Sequence, residues 1–306
     1  MKIQVLGSAA GGGYPQWNCN CSMCNGVRHG TINARARTQS SIAISDNNKQ
    51  WLLFNASPDV LTQLKQTPEL QPAVGVRHSP VTSIFLLDSQ IDHTTGLLML
   101  REHDAPLSIW CTRQVHEDLT TGNPLFKVLS HYCEVSWNEV IPGETYTDIP
   151  GIDNTSITAL PLISNAPPYS PRRNKTVPGD TLGIVMTDQA EGGNRTFYAP
   201  GLGQIEPHVW EAMQSADTLL VDGTMWTDDE MQQAGIADKT ARSMGHLPQT
   251  GPDGMLEWLD KLPNSTRKVL IHINNTNPIL NEDGPEFAML QQRGVEVAYD
   301  GMLMET

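Results

Sequence analysis

The chain has 306 residues, 39% of them hydrophobic and 18% charged, a composition that supports a buried core. Its 34 acidic and 20 basic side chains leave a net charge of −14, which argues against nucleic-acid binding, where clustered Lys and Arg neutralise phosphates. No run approaches the roughly 18 apolar residues of a spanning helix, and the first residues open directly as a strand with no signal-peptide core. A cytoplasmic protein without membrane insertion is the expectation.

In chain order, apolar or alternating runs bounded by Gly, Pro, Asn or Asp predict strands over residues 2–6, 40–45, 51–54, 83–87, 107–111, 181–186, 196–198, 218–221, 268–273 and 295–299. Ser57-Pro58-Asp59 supplies an N-cap and a proline for a helix carrying Val60, Leu61 and Leu64. Further helices are expected over 93–101, 113–119, 207–214, 253–259 and 285–293. Strands followed by helices, then the same again, suit two sheets packed face to face with helices outside. That is an α/β fold (α+β by some schemes), a four-layer αβ/βα sandwich, expected as one domain over 1–306. The Pro- and Arg-rich stretch 166–180 is the longest predicted loop.

Three of the five cysteines, Cys19, Cys21 and Cys24, fall within six residues. Thiolates so close in a reduced chain suit Zn²⁺, and a site filled by protein ligands is structural. His29 is the local candidate for a fourth ligand. Cys111 and Cys133 read as buried small hydrophobes.

Several predicted strands end in metal-ligating or titratable residues. The 83–87 run leads into Asp88, Gln90, Asp92 and His93, the 218–221 run into Asp222, and the 268–271 run into His272. Alone, the Asp92-His93 pair reads first as an N-cap and a solvent-facing His. Three such endings together point to a shared site with Zn²⁺ or Fe²⁺ as its ion. His246, between Gly245 and Leu247-Pro248, is a candidate general acid or base, or a solvated loop residue. Gly11-Gly12-Gly13 lacks the spacing of a phosphate-binding loop and suits close backbone approach instead.

The segments VLGSAAGGGYPQWNCNC at 5–21, FNASPD at 54–59, FLLDSQIDHTTGL at 85–97, FYAPGLG at 197–203, LLVDGTMW at 219–226, MGHLP at 244–248 and HINNTNP at 272–278 resemble the metallo-β-lactamase superfamily. Within it, they resemble the branch that takes part in biosynthesis of pyrroloquinoline quinone (PQQ). The superfamily motif His-x-His-x-Asp-His corresponds to Asp88-x-Gln90-x-Asp92-His93, and a further His corresponds to Asn165. The three ligands of one ion are therefore replaced, while Asp92, His93, Asp222 and His272 remain for the other. The resemblance implies a mononuclear site, with Asp222 a fourth or alternating ligand. In relatives with a similar cysteine cluster the fourth zinc ligand is a His, at the position of Asn275 here.

The function so implied is Fe(II)- and O2-dependent hydroxylation of the tyrosine ring of the Glu-Tyr-derived PQQ precursor, with His246 and Asp222 catalytic. A non-catalytic carrier of PQQ or its precursor is the alternative, and a divergent phosphodiesterase the third reading. The implied partners are the PQQ precursor or PQQ and O2, with a homodimer left open. Asp88 and Gln90 are candidates for contact with substrate. Arg172, Arg173 and Lys175, the densest basic cluster, are candidates to hold its carboxylates, or else form a solvated loop.

Overall fold

The computed structural model describes residues 1–189 and 193–305. Strands β1 (Lys2–Gly7), β2 (Ser41–Ser45), β3 (Trp51–Phe54), β4 (Val81–Phe85), β5 (Leu107–Cys111) and β6 (Val135–Glu139) build one sheet. Strands β7 (Thr145–Tyr146), β8 (Thr155–Pro161), β9 (Leu182–Asp188), β10 (Arg195–Ala199), β11 (Thr218–Asp222), β12 (Arg267–Ile271) and β13 (Val295–Val297) build the other. β14 (Leu303–Glu305) returns to the first sheet, antiparallel to β1. Each sheet has seven strands, ordered β14-β1-β2-β3-β4-β5-β6 and β13-β12-β11-β10-β9-β8-β7.

Side-chain alternation explains how the layers meet. Ile42 and Ile44 point into the core between the sheets while Ala43 points out, and Leu220 points in while Leu219 and Val221 point out. Both faces of each sheet are covered, so these strands read as nearly continuous apolar runs. Helices α1 (Ser22–His29), α2 (Val60–Gln66), α3 (Ile91–Thr94), α4 (Arg113–Thr120), α5 (Leu125–Leu129), α6 (Pro207–Gln214), α7 (Glu230–Gln233), α8 (Met255–Leu259) and α9 (Pro285–Gln292) complete the fold. Residues of α2, α4 and α5 pack outside the first sheet. Those of α1, α6, α8 and α9 pack outside the second. The expected four-layer sandwich is found.

Some boundaries move. The helix expected from Ser57 begins at Val60, because the Ser57 hydroxyl accepts from the Asp59 amide and closes a turn first. The helix expected over 93–101 is one α turn followed by a 3₁₀ segment over Thr95–Leu100. The strand expected over 83–87 is β4, set two residues earlier. β6, β7, β8, β14, α1, α5 and α7 carry no expectation from sequence. β6 and β7 are short edge strands, half-buried or exposed along much of their length, so the apolar signal is weak. Among the described residues no helix is long and apolar enough to cross a membrane.

The two sheets meet at one end of the sandwich. Leu182 N donates to Leu87 O at 2.9 Å, and Ala10 N donates to Ile273 O at 2.9 Å. The residues that follow β4, β11 and β12 gather at this seam.

Candidate metal centre

Asp92, His93 and His272 offer ligand atoms within 4.8 Å of one another, drawn from segments at the ends of both sheets. His93 Nε2 lies 3.8 Å and His272 Nε2 3.4 Å from Asp92 Oδ2. His93 is 2% exposed, so it is a buried side chain and not a surface histidine. Its Nε2 is buried without a hydrogen-bond partner. Such an orphaned acceptor is costly unless something else occupies its lone pair, and a cation beside Asp92 would do so.

Each imidazole is held from behind. Asp88 Oδ1 and Oδ2 lie 2.8 and 2.9 Å from His93 Nδ1, which places the ring proton there and leaves Nε2 bare. The Thr224 hydroxyl lies 2.6 Å from Asp222 Oδ1 and 2.9 Å from His272 Nδ1. Its single proton goes to the carboxylate, so it accepts from His272 Nδ1–H and leaves His272 Nε2 bare toward Asp92. His272 sits at φ 61, a left-handed conformation that a non-glycine residue adopts at a cost of about 1–3 kcal/mol. The Ile273 N to Ser8 O bond at 2.9 Å and the Thr224 contact hold it there.

Asp222, expected as a fourth or alternating ligand, stands in a second group of possible ligands that shares His272 with the first. It groups with His246 and His272. Its Oδ1 accepts from Thr224 N and Oγ1, and its Oδ2 from Leu202 N at 2.9 Å and His246 Nδ1 at 2.6 Å. Four donors thus occupy a fully buried carboxylate. His246 is oriented by it, with Nε2 left open. Gly245 precedes it at φ 89, where a Cβ would lie 2.7 Å from Ser164 Oγ, so glycine sets the approach of this loop.

The fields follow the geometry. Burial opposes the charged form of His93, but Asp88 and Asp92 outweigh it and raise its pKa to about 9, so below that pH a cation takes Nε2 by displacing a proton, while Nδ1–H stays on Asp88. Burial likewise opposes ionisation of Asp92, and His93 and His272 overcome it to hold the carboxyl well below its ordinary range. His246 is raised against the effect of burial by Asp222, whose own pKa is lowered against burial by His246.

Asp88, Asp92, His93, His246 and His272 line a cavity of about 260 Å³ with Gly11, Arg173, Met225, Met231, Met244 and Asn274. A Cβ on Gly11 would lie 3.2 Å from Asp92 Oδ2, so the glycine turn serves close approach to Asp92. Gln90 donates to Asn165 O at 2.8 Å, and Asn165 donates to Ser243 O at 2.9 Å.

The basic cluster divides. Arg172 is engaged by Asp180 at 2.6 Å, Asp118 at 2.9 Å and Glu117 at 2.8 Å, an internal clamp of the 166–180 loop outside the cavity lining. Lys175 is exposed and lies outside the cavity lining. Arg173 alone faces it. Sequence reasoning missed Thr224 and the three methionines. The spacing Asp222-x-Thr224 after a strand, where a hydroxyl can turn back on the carboxylate, was the available signal for Thr224.

The Cys19, Cys21 and Cys24 sulfurs form a second group within 4.8 Å, with Cys21 capping α1. His29 is exposed at the far end of α1, outside this group. The side-chain amide of Asn275 instead stands 3.2 Å from Cys19 Sγ and 3.4 Å from Cys24 Sγ. The three thiols are soft donors that suit Zn²⁺, and the Asn275 amide N–H, which donates to the sulfurs, is not itself a ligand.

Residues 50–273 match the model of the beta-lactamase superfamily domain. The coenzyme PQQ synthesis protein B of Azoarcus sp. (strain BH72) is 65% identical over 304 residues, 99% of each chain. The chain belongs to the coenzyme PQQ synthesis protein B family. The Methylococcus capsulatus member is 57% identical over 99% of each chain. The crystal structure of Zn²⁺-bound PqqB from Methylobacterium extorquens superposes with a TM-score of 0.91 at 36% identity, over the whole of both chains. A diphosphatase of the PhnP family shares the fold, with a TM-score of 0.69 at 17% identity over 100% of this chain and 97% of its own.

Proposed function

We propose that this family member, acting as one domain over 1–306, takes part in PQQ biosynthesis as an oxygenase that hydroxylates the tyrosine-derived ring of the Glu-Tyr-derived precursor. The observation that carries the reading is the two-imidazole, one-carboxylate set of Asp92, His93 and His272, with Nε2 of His93 and of His272 3.8 and 3.4 Å from Asp92 Oδ2. This donor set suits a mononuclear Fe(II) centre with open positions. Fe(II) held there would supply O2 activation, and Zn²⁺ on Cys19, Cys21 and Cys24 would hold the loop at 19–24.

The remaining steps belong to side chains. His246 Nε2 takes the phenol proton of the substrate ring, and Asp222 stabilises the imidazolium so formed. Arg173 anchors a precursor carboxylate, while Met225, Met231 and Met244 give the ring an apolar wall. Asp88 and Gln90 act from behind: Asp88 keeps His93 Nε2 bare and Gln90 fixes the 165 loop.

A carrier role is the second reading, favoured by Asp88, Gln90 and Asn165 standing where the superfamily has histidines. Single-turnover oxygen uptake separates the two. Iron-loaded protein with precursor and a chemical reductant, which supplies the two electrons that reduce the second oxygen atom to water, should add one or more oxygen atoms by mass. Tight PQQ binding with no oxygen added would overturn the oxygenase in favour of the carrier.

A further inference from the structure

A second cleft of about 420 Å³ shares no lining residue with the metal-centre cavity. It lies between α9, which supplies Phe287 and Gln291, strand β13, and the turn carrying Tyr299 and Met302. Arg37 forms part of its wall and is only 5% exposed. Among the described residues no carboxylate lies within 4.0 Å of its guanidinium, an unusual state for a buried cation. Both of its hydrogen bonds leave from Nη1, to Ser8 Oγ at 3.1 Å and to Ala298 O, and Nε is buried without a partner.

The carboxylates whose fields reach Arg37 are already engaged. Asp300 accepts from the Ser8 and Thr38 amides and hydroxyls, and Glu282 pairs with Arg35 at 2.9 Å. Burial lowers the Arg37 pKa, and those fields only partly oppose it. Nε is enclosed, whereas Nη2 makes no hydrogen bond and is not enclosed, so it is the N–H of the planar fork left to meet a carboxylate in the cleft. Aromatic surface stands beside it: Phe287 is half-buried, and Tyr299 is 38% exposed with the Arg35 guanidinium 4.8 Å over its ring. Glu282 and Glu296 also line the cleft, so a dianion such as phosphate meets more repulsion than a monoanion.

We propose that this cleft binds a small aromatic carboxylate, its carboxylate on Arg37 and its ring against Phe287 and Tyr299. The inference stands on its own residues and does not depend on the reaction at the metal centre.

The test is an NMR titration of the full chain, following the Arg37 Nε–H signal, with benzoate, acetate and inorganic phosphate as probes. Benzoate should give a saturable shift of that signal with a dissociation constant of about 1 mM or below. It should bind at least about tenfold tighter than acetate, given the value of aromatic contacts, and tighter than phosphate. Arg37 also ties Ser8 to Ala298, so its replacement can disturb folding. The deciding variants are therefore Phe287→Ala and Tyr299→Ala, which should bring benzoate down to the affinity of acetate. No saturable shift at Arg37, benzoate binding unchanged in both variants, or phosphate bound more tightly than benzoate would each overturn the proposal.

Discussion

Thr224 is the most informative residue to perturb, because one hydroxyl serves both halves of the site. It donates to Asp222 Oδ1 at 2.6 Å and accepts from His272 Nδ1 at 2.9 Å, with His246 Nδ1 at 3.1 Å. Thr224→Val keeps the shape and removes the hydroxyl. The buried His272 Nδ1–H then lacks an acceptor, which costs about 1–3 kcal/mol, and a charge-assisted bond to Asp222 worth about 1.5–3 kcal/mol is lost. The two losses share one group and do not add in full, so a net destabilisation of about 3 kcal/mol is expected. Asp222 retains the amides of Thr224 and Leu202, which keeps the fold within reach. The larger signature is in metal binding. Without its acceptor, His272 can place its proton on Nε2, and affinity for Fe²⁺ or Zn²⁺ should fall about 10–100-fold. Urea unfolding and anaerobic metal titration read the two effects, and Thr224→Ser should restore both. If Thr224→Val binds metal as tightly as the wild type, the hydroxyl does not set the His272 tautomer and the reasoning is wrong.

Cys21→Ser should release one zinc and lower the melting temperature, since metal and folding free energies are coupled at such sites; retained zinc with unchanged melting would refute a structural role. Arg172→Ala breaks a largely buried network and should lose about 3–5 kcal/mol of stability with precursor affinity unchanged once folded, whereas Arg173→Ala should weaken precursor binding with stability nearly intact; the opposite pattern in calorimetry would reverse their roles. Burial raises the Glu230 carboxyl to about 7 from 4.5, against hydrogen bonds from Thr276 and the Trp226 amide. The folded state therefore binds more protons than the unfolded one between those values. Stability is undiminished below the unfolded pKa and falls by about 3 kcal/mol as pH rises through the folded one. Glu230→Gln should flatten that slope in denaturation measured from pH 4 to 8, and an unchanged slope would rule Glu230 out as its source.

The sandwich was legible because its strands are buried on both faces and bounded by turn residues. The edge strand β6 escaped because half-buried Val135, Trp137 and Asn138 give no apolar run. At the site, Asp92, His93 and His272 were legible as donors at strand ends. Their division of labour with Asp222 was not, since the four hydrogen bonds that occupy its carboxylate come from residues up to 24 positions away. The Arg172-Arg173-Lys175 cluster shows the same limit: three cations within four residues face a clamp, a cavity and solvent, and only the path of the loop decides which. Asn275 was visible as an odd residue at a ligand position. Its amide beside Cys19 and Cys24 depends on the long-range packing of 272–277 against α1.

The replaced superfamily positions do more than lack a ligand. Asp88 holds the proton on His93 Nδ1, and a histidine there could not accept that bond while its other nitrogen ligated a second ion. Gln90 reaches Asn165 O, and Asn165 in turn holds Ser243 O in the loop that delivers His246. A chain of hydrogen bonds thus joins these positions, and its members hold His93 and the loop that carries His246. Restoring one histidine would remove a support without completing a second site, so the three changes are physically consistent only together. That consistency argues for a centre built around one ion, with rings preset by protein groups, rather than for a two-ion hydrolytic site in decay.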